Sequence, residues 1–160
     1  MKKLALITMI FALFTGSAFG QGAATQTGYY LGSSANGVFV IKFACVASAV
    51  DGSFPAIAFE SQWLDAIKGW HCYRAKTDPG AVAPTANYDI AITESGGDVF
   101  GGNLGNRSAT ATEFAAPYIP GAVASAVGMV TMETTWSLVI TNNAVNSATL
   151  DLWLFFKRVG

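Results

Sequence analysis

The sequence predicts an all-β fold: a single antiparallel β-sandwich, jelly-roll-like, after an N-terminal signal-like segment. Three observations predict it. Near the C-terminus, Val130, Met132, Thr134, Trp136, Leu138 and Ile140 alternate with Thr131, Glu133, Thr135, Ser137, Val139 and Thr141, and Leu150, Leu152, Leu154 and Phe156 alternate with Asp151, Trp153, Phe155 and Lys157. Side chains of a strand point to opposite faces in turn, so period-two alternation marks strands with one apolar face. Further short alternating segments recur along the chain with turn signals between them, the spacing of a sandwich or barrel. Charged residues make up only 12% of the chain against 52% hydrophobic. About a quarter charged is usual, so the surface must be built from Ser, Thr, Asn, Gly and Ala.

Residues 1–20 read as a signal peptide or a hydrophobic N-terminal arm. Lys2 and Lys3 precede an apolar run over residues 4–14, and Ala18 and Gly20 sit at −3 and −1 of a cut before Gln21. That is the three-part layout of a secretory signal. The run is short for a permanent membrane span, which needs about 20 residues. Residues 21–37 are rich in Gly, Ala, Ser, Thr and Gln and read as a flexible leader with at most a short strand at Tyr29-Tyr30-Leu31. The sandwich domain is expected over residues 38–160.

Residues 38–46 are β-branched and aromatic and apolar on nearly both faces, as in a strand inside a sandwich. Residues 54–67 fit two readings. Ala56, Phe59, Trp63, Ile67 and Trp70 share a helical stripe with Gly69 as a stop, but the flanking strands favour a strand over residues 54–60 and another over 70–76. Thr77-Asp78-Pro79-Gly80 ends the latter. Residues 88–94 alternate with Tyr88, Ile90 and Ile92 inward, and Ser95-Gly96-Gly97-Asp98 is a tight turn. The two C-terminal runs, joined by the Asn-rich residues 142–147, read as a hairpin.

No catalytic constellation stands out. Cys45 and Cys72 are the only cysteines, and in an oxidising compartment a lone pair is commonly bridged; buried free thiols are the alternative. His71 adjoins Cys72, but strand neighbours face opposite ways and cannot form a nucleophile–base pair. Residues 95–103 hold a Gly/Asp turn with the flavour of a calcium loop, yet only one copy; a plain glycine-rich loop is the expectation, with no metal and no cofactor. The formal net charge of −1 offers no basic footprint for nucleic acid. Trp153, Trp70 and Tyr73 are candidate contact residues for a glycan or protein ligand, with core or subunit interface as the competing role.

Pro79-Gly80, Ala83-Pro84-Thr85-Ala86-Asn87-Tyr88-Asp89-Ile90, Asp98-Val99-Phe100-Gly101-Gly102, Asn106-Arg107-Ser108 and the stretch 138–148 resemble small structural proteins of tailed bacteriophages. The likeness spans about residues 69–156 and lies in turn-and-strand wording. It implies a non-enzymatic all-β virion component, a capsid decoration or tail protein, whose partners are other virion or surface subunits in a homo-oligomer. A cleavable signal departs from that pattern, because virions of tailed phages assemble in the cytoplasm. An exported, periplasmic or cell-surface binding module is therefore the second reading, and membrane contact is expected only through residues 1–20 if they are not removed.

Overall fold

The computed structural model describes residues 20–32, 37–118 and 128–158. Residues 1–19, and with them the signal or arm, lie outside the described residues. Two antiparallel sheets face each other. The larger is built from β1 (Ala23–Leu31), β2 (Val38–Val46), β10 (Thr149–Lys157), β4 (His71–Pro79) and β7 (Glu113–Ala115) in that spatial order, with β8 (Val130–Thr131) also beside β4. The smaller runs β3 (Ile57–Ala58), β9 (Trp136–Thr141), β5 (Asp89–Glu94) and β6 (Gly97–Asp98). With β1 set aside, and β7 and β8 sharing one place next to β4, eight positions remain. Numbered along the chain, they lie in the orders 1-8-3-6 and 2-7-4-5. This is the jelly roll, two Greek keys folded into a double sheet.

The core follows from the alternation. Phe39, Ile41, Phe43 and Cys45 of β2 and Leu150, Leu152, Leu154 and Phe156 of β10 meet Ile90 and Ile92 of β5 and Trp136, Leu138 and Ile140 of β9, all buried. Phe54, Phe59, Phe100 and Leu104 close the ends from the loops. Phe59 sits edge-on between Phe43 and Trp136, at ring centroid distances of 4.8 and 5.8 Å, the tilted geometry aromatic quadrupoles favour.

Three expectations are corrected. The C-terminal runs do not form a hairpin: β9 belongs to the smaller sheet and β10 to the larger, and the run over residues 130–141 splits into β8 and β9. Their apolar faces oppose each other across the core. The Asn-rich loop is a crossover. Asn142 and Ser147 take left-handed backbone angles (φ 59° and 55°). Asn143 accepts from Thr85 N at 2.8 Å and donates to the Gly52 carbonyl at 2.6 Å, and Ser147 N donates to the Ser48 carbonyl at 3.1 Å. Gly52 is needed here, because its φ is 73° and a Cβ would come within 2.7 Å of the Ala144 backbone.

The leader reading also gives way. Residues 23–31 form the nine-residue β1, in unbroken register with β2 from Ala23↔Val46 to Leu31↔Val38. Its own side chains are mostly exposed, so the ladder supplied by β2 makes it a strand more than any apolar face of its own. The stretch 54–67 is a two-residue β3 followed by helix α1 (Ser61–Ile67). The helical stripe wins because it turns Ile67 into the core and lays Trp63 over β1, where a Cβ on Gly28 would lie 2.5 Å from the indole. Gly69, at φ 75°, ends the turn before β4.

Candidate interaction face

The outward face of the larger sheet carries most of the chemistry. On β10, Asp151, Trp153 and Phe155 alternate outward against Leu150, Leu152 and Leu154. Register sets Trp153 opposite Lys42 on β2 and opposite Lys76 on β4. The two ammonium groups flank the indole, their Nζ atoms 5.0 and 4.1 Å from the ring centroid. Each contact contributes about 0.5–1 kcal/mol at an exposed site. Lys42 Nζ also lies 2.7 Å from Asp151 Oδ2, and Lys76 Nζ lies 3.4 Å from Asp78 Oδ2. Thr112 Oγ1 donates to Asp78 Oδ1 at 2.8 Å, and that bond, with Lys76 beside it, lowers the Asp78 pKa.

A bulge extends this pattern. Phe155 pairs with Arg74, but Phe156 pairs with Cys72, so Tyr73 is the extra residue of β4. Cys72 and Ala75 both stay buried, while Tyr73 and Arg74 share the outward side. Bulges re-aim side chains in this way. The Arg74 guanidinium lies 4.4 Å from the Phe155 ring centroid, 5.2 Å from that of Phe114 on β7 and 5.8 Å from that of Tyr73. Lys157 Nζ covers the Tyr73 ring at 5.3 Å, and Tyr73 and Phe155 are 6.4 Å apart. Val40, paired with Phe155, is fully buried although it lies outside the inter-sheet core. The face thus has a small apolar centre of its own. Tyr29, Leu31, Val46 and Phe114 add exposed apolar surface around it. Four cations, Lys42, Arg74, Lys76 and Lys157, stand there against the carboxylates Asp78 and Asp151, on a chain with formal net charge −1.

Of the residues singled out from the sequence, Trp153 and Tyr73 come together on this face, one strand apart. Trp70 does not. It is 2% exposed and packs in the core, 6.2 Å from the Phe39 ring and under Arg158 at 4.9 Å, so no ligand can stack on it. The Cys45–Cys72 bridge is excluded as well. Both thiols are free and buried. Cys45 pairs with Leu150 and Cys72 with Phe156, six positions along β10 and on opposite sides of it. That separation is about 20 Å along the strand, whereas a bridge needs Cα atoms within about 7 Å. Burial pushes the Cys45 thiol up to about 12, with Asp151 adding to it, and raises Cys72 above the ordinary thiol range.

His71 Nδ1 is 2.8 Å from Thr131 Oγ1 on β8, turned away from the buried Cys72. In the Gly/Asp turn, Asp98 Oδ1 accepts from Phe100 N at 3.0 Å and Oδ2 from Gly102 N at 2.7 Å. Both oxygens are committed to the loop backbone. Among the described residues, no three His, Cys, Asp or Glu side chains gather as metal ligands. Other carboxylates staple loops in the same manner. Glu94 accepts from Glu133 N and Thr134 N at 2.7 and 2.5 Å, and Asp89 accepts from Asn106 N at 2.7 Å and from the Asn142 side-chain amide.

Sequence reasoning set Phe155 on the same side of its strand as Trp153 but missed Lys42, Arg74, Lys76 and Phe114 as members of the face. The outward alternation of β10 was the available signal, but only the strand pairings show which residues flank Trp153. No protein-family model, curated protein or solved structure matches this chain.

Proposed function

We propose that this chain is a non-enzymatic structural protein that acts by packing the outward face of its larger sheet against other subunits, as a phage-type virion component: a capsid decoration or tail protein. The observation that carries the reading is the set of cations stacked on Trp153, Phe155, Tyr73 and Phe114. Trp, Tyr and Arg on a common, partly desolvated patch are the side chains that dominate protein–protein contacts. The outward face of such a sheet is suited to a broad partner. The jelly roll recurs in capsid proteins, which supports the reading by analogy of fold alone, and the resemblance in sequence wording points the same way.

The second reading, an exported or cell-surface binding module, is supported by the signal-like residues 1–20. Within it, stacking of a sugar on Trp153 is opposed by the two lysines that already flank the indole. An anionic or protein ligand fits the excess of cations better. The experiment is to purify particles from a host that expresses the chain with its neighbouring genes and look for it by mass spectrometry. Incorporation is expected for the native chain and its loss for Arg74→Ala combined with Trp153→Ala. Absence of the native chain from particles, together with an intact mass beginning at Gln21, would replace the virion reading with the exported module.

A further inference from the structure

Three of the four edges of this double sheet end in very short strands. The smaller sheet is bounded by β3 and β6, two residues each, and the larger sheet on one side by β7 and β8, three and two residues. Short edge strands are a standard guard against unwanted pairing. The fourth edge is β1, and it is different in every respect that matters. It is nine residues long, keeps unbroken register with β2, and reads Ala-Ala-Thr-Gln-Thr-Gly-Tyr-Tyr-Leu, without a charge, a proline or a bulge. Among the described residues, no backbone hydrogen bond reaches it from outside the β1–β2 ladder. The side chain of Gln26, not the main chain, ties it to the smaller sheet: Nε2 donates to the Ala58 carbonyl at 2.8 Å and Oε1 accepts from Glu60 N at 3.0 Å. About half of its N–H and C=O groups therefore face outward, in a ladder about 30 Å long.

From this we infer that β1 is the joint between two copies of this chain, paired antiparallel across a two-fold axis at Thr27 so that the larger sheets run on continuously. The occupant is chosen by the sequence of the strand itself. Its first third is small, Ala23, Ala24 and Thr25, and its last third is large and half-exposed, Tyr29, Tyr30 and Leu31 at 40, 45 and 48%. Antiparallel self-pairing about Thr27 sets Ala23 against the partner copy's position 31, Ala24 against position 30, and Thr25 against position 29. Every large side chain meets a small one, and each pair shares a face, because period two is preserved. Outward, Tyr29 and Leu31 would pass from half-exposed to covered. Inward, Tyr30, already edge-on to Phe39 at 4.9 Å, gains the same cover. With no charge on the strand, nothing repels a second copy. Pairing of this type makes a closed, isologous dimer. The inference stands apart from the outward-face reading, because it uses a different surface.

Thr27 supplies the test. It is exposed on the outward side and lies opposite Lys42 of its own subunit. Thr27→Glu therefore suits the monomer, yet sets two carboxylates against each other across the two-fold; Thr27→Lys sets two ammonium groups there. Sedimentation velocity and light scattering on the purified full chain should find a dimer. Each variant, with unchanged circular dichroism, should weaken it about tenfold or more. An equimolar mixture of the two should restore it, since the Glu side chain then meets Lys. A monomeric native chain overturns the inference, as does a dimer that both variants leave intact. A dimer broken by Trp153→Ala but not at Thr27 overturns it too, and assigns self-contact to the outward face. Restoration in the mixture answers any doubt that a single variant is merely misfolded.

Discussion

Neighbouring residues of β10 should differ sharply in what they contribute, and the contrast tests the whole arrangement. Leu152 is 0% exposed, between Phe43 on β2 and Thr77 on β4 in the ladder, and points at the smaller sheet. Truncation to alanine removes buried methyl groups and leaves a cavity that a jelly roll closed on both sides cannot collapse, a loss of about 2–5 kcal/mol. Trp153, the next residue, is larger but points out. Truncation removes two cation–aromatic contacts, at 5.0 and 4.1 Å, worth about 1–2 kcal/mol together, and opens no cavity in the core. The smaller residue should therefore cost more. Domains of this size have about 5–15 kcal/mol to lose, so both variants should fold and both can be measured. Urea unfolding followed by circular dichroism gives the midpoints, with slopes expected to stay constant. From the middles of these ranges, Leu152→Ala should lower the midpoint by about twice as much as Trp153→Ala. Equal losses, or a larger loss at Trp153, would mean that the outward face is itself a core, and the assignment of faces would be wrong.

Two further outcomes are expected. In the native protein neither Cys45 nor Cys72 should react with an alkylating reagent at mildly alkaline pH, and both should react in urea; a mass showing a bridge within one chain would refute the strand register that separates them. Asp51 has its pKa lowered to about 2, chiefly because Ser53 N donates to it at 3.0 Å and Ser53 Oγ at 2.8 Å. A folded-state value below the unfolded one means stabilisation that is complete above about pH 4 and lost as pH falls through about 2. Asp78, lowered by the Thr112 hydroxyl, acts in the same direction. Melting temperature should fall across that window, less steeply for Asp51→Asn, and parallel curves for the two proteins would remove Asp51 from the account.

The sequence by itself determined which way side chains face. Period two is local, so Leu150, Leu152, Leu154 and Phe156 were legible as one face and Tyr88, Ile90 and Ile92 as another, and all of these are buried. The all-β class and the jelly-roll character followed from the number and spacing of such runs. Which sheet a strand joins is not local. The runs ending at Thr141 and beginning at Thr149 look the same whether they pair side by side or face each other, and only the core volume between two sheets decides for the latter. β1 was hidden because a polar, small-residue strand has no periodic signal of its own and owes its order to a ladder with β2. Helix α1 was a near-tie in pattern, settled by the place Ile67 and Trp63 find once the β1 edge exists. Register alone put Cys45 and Cys72 on opposite sides of β10, and register with a bulge set Lys42, Lys76 and Arg74 over the aromatic rings. Those contacts join residues far apart in the chain, where no spacing rule reaches, and so the candidate face belongs to the tertiary structure.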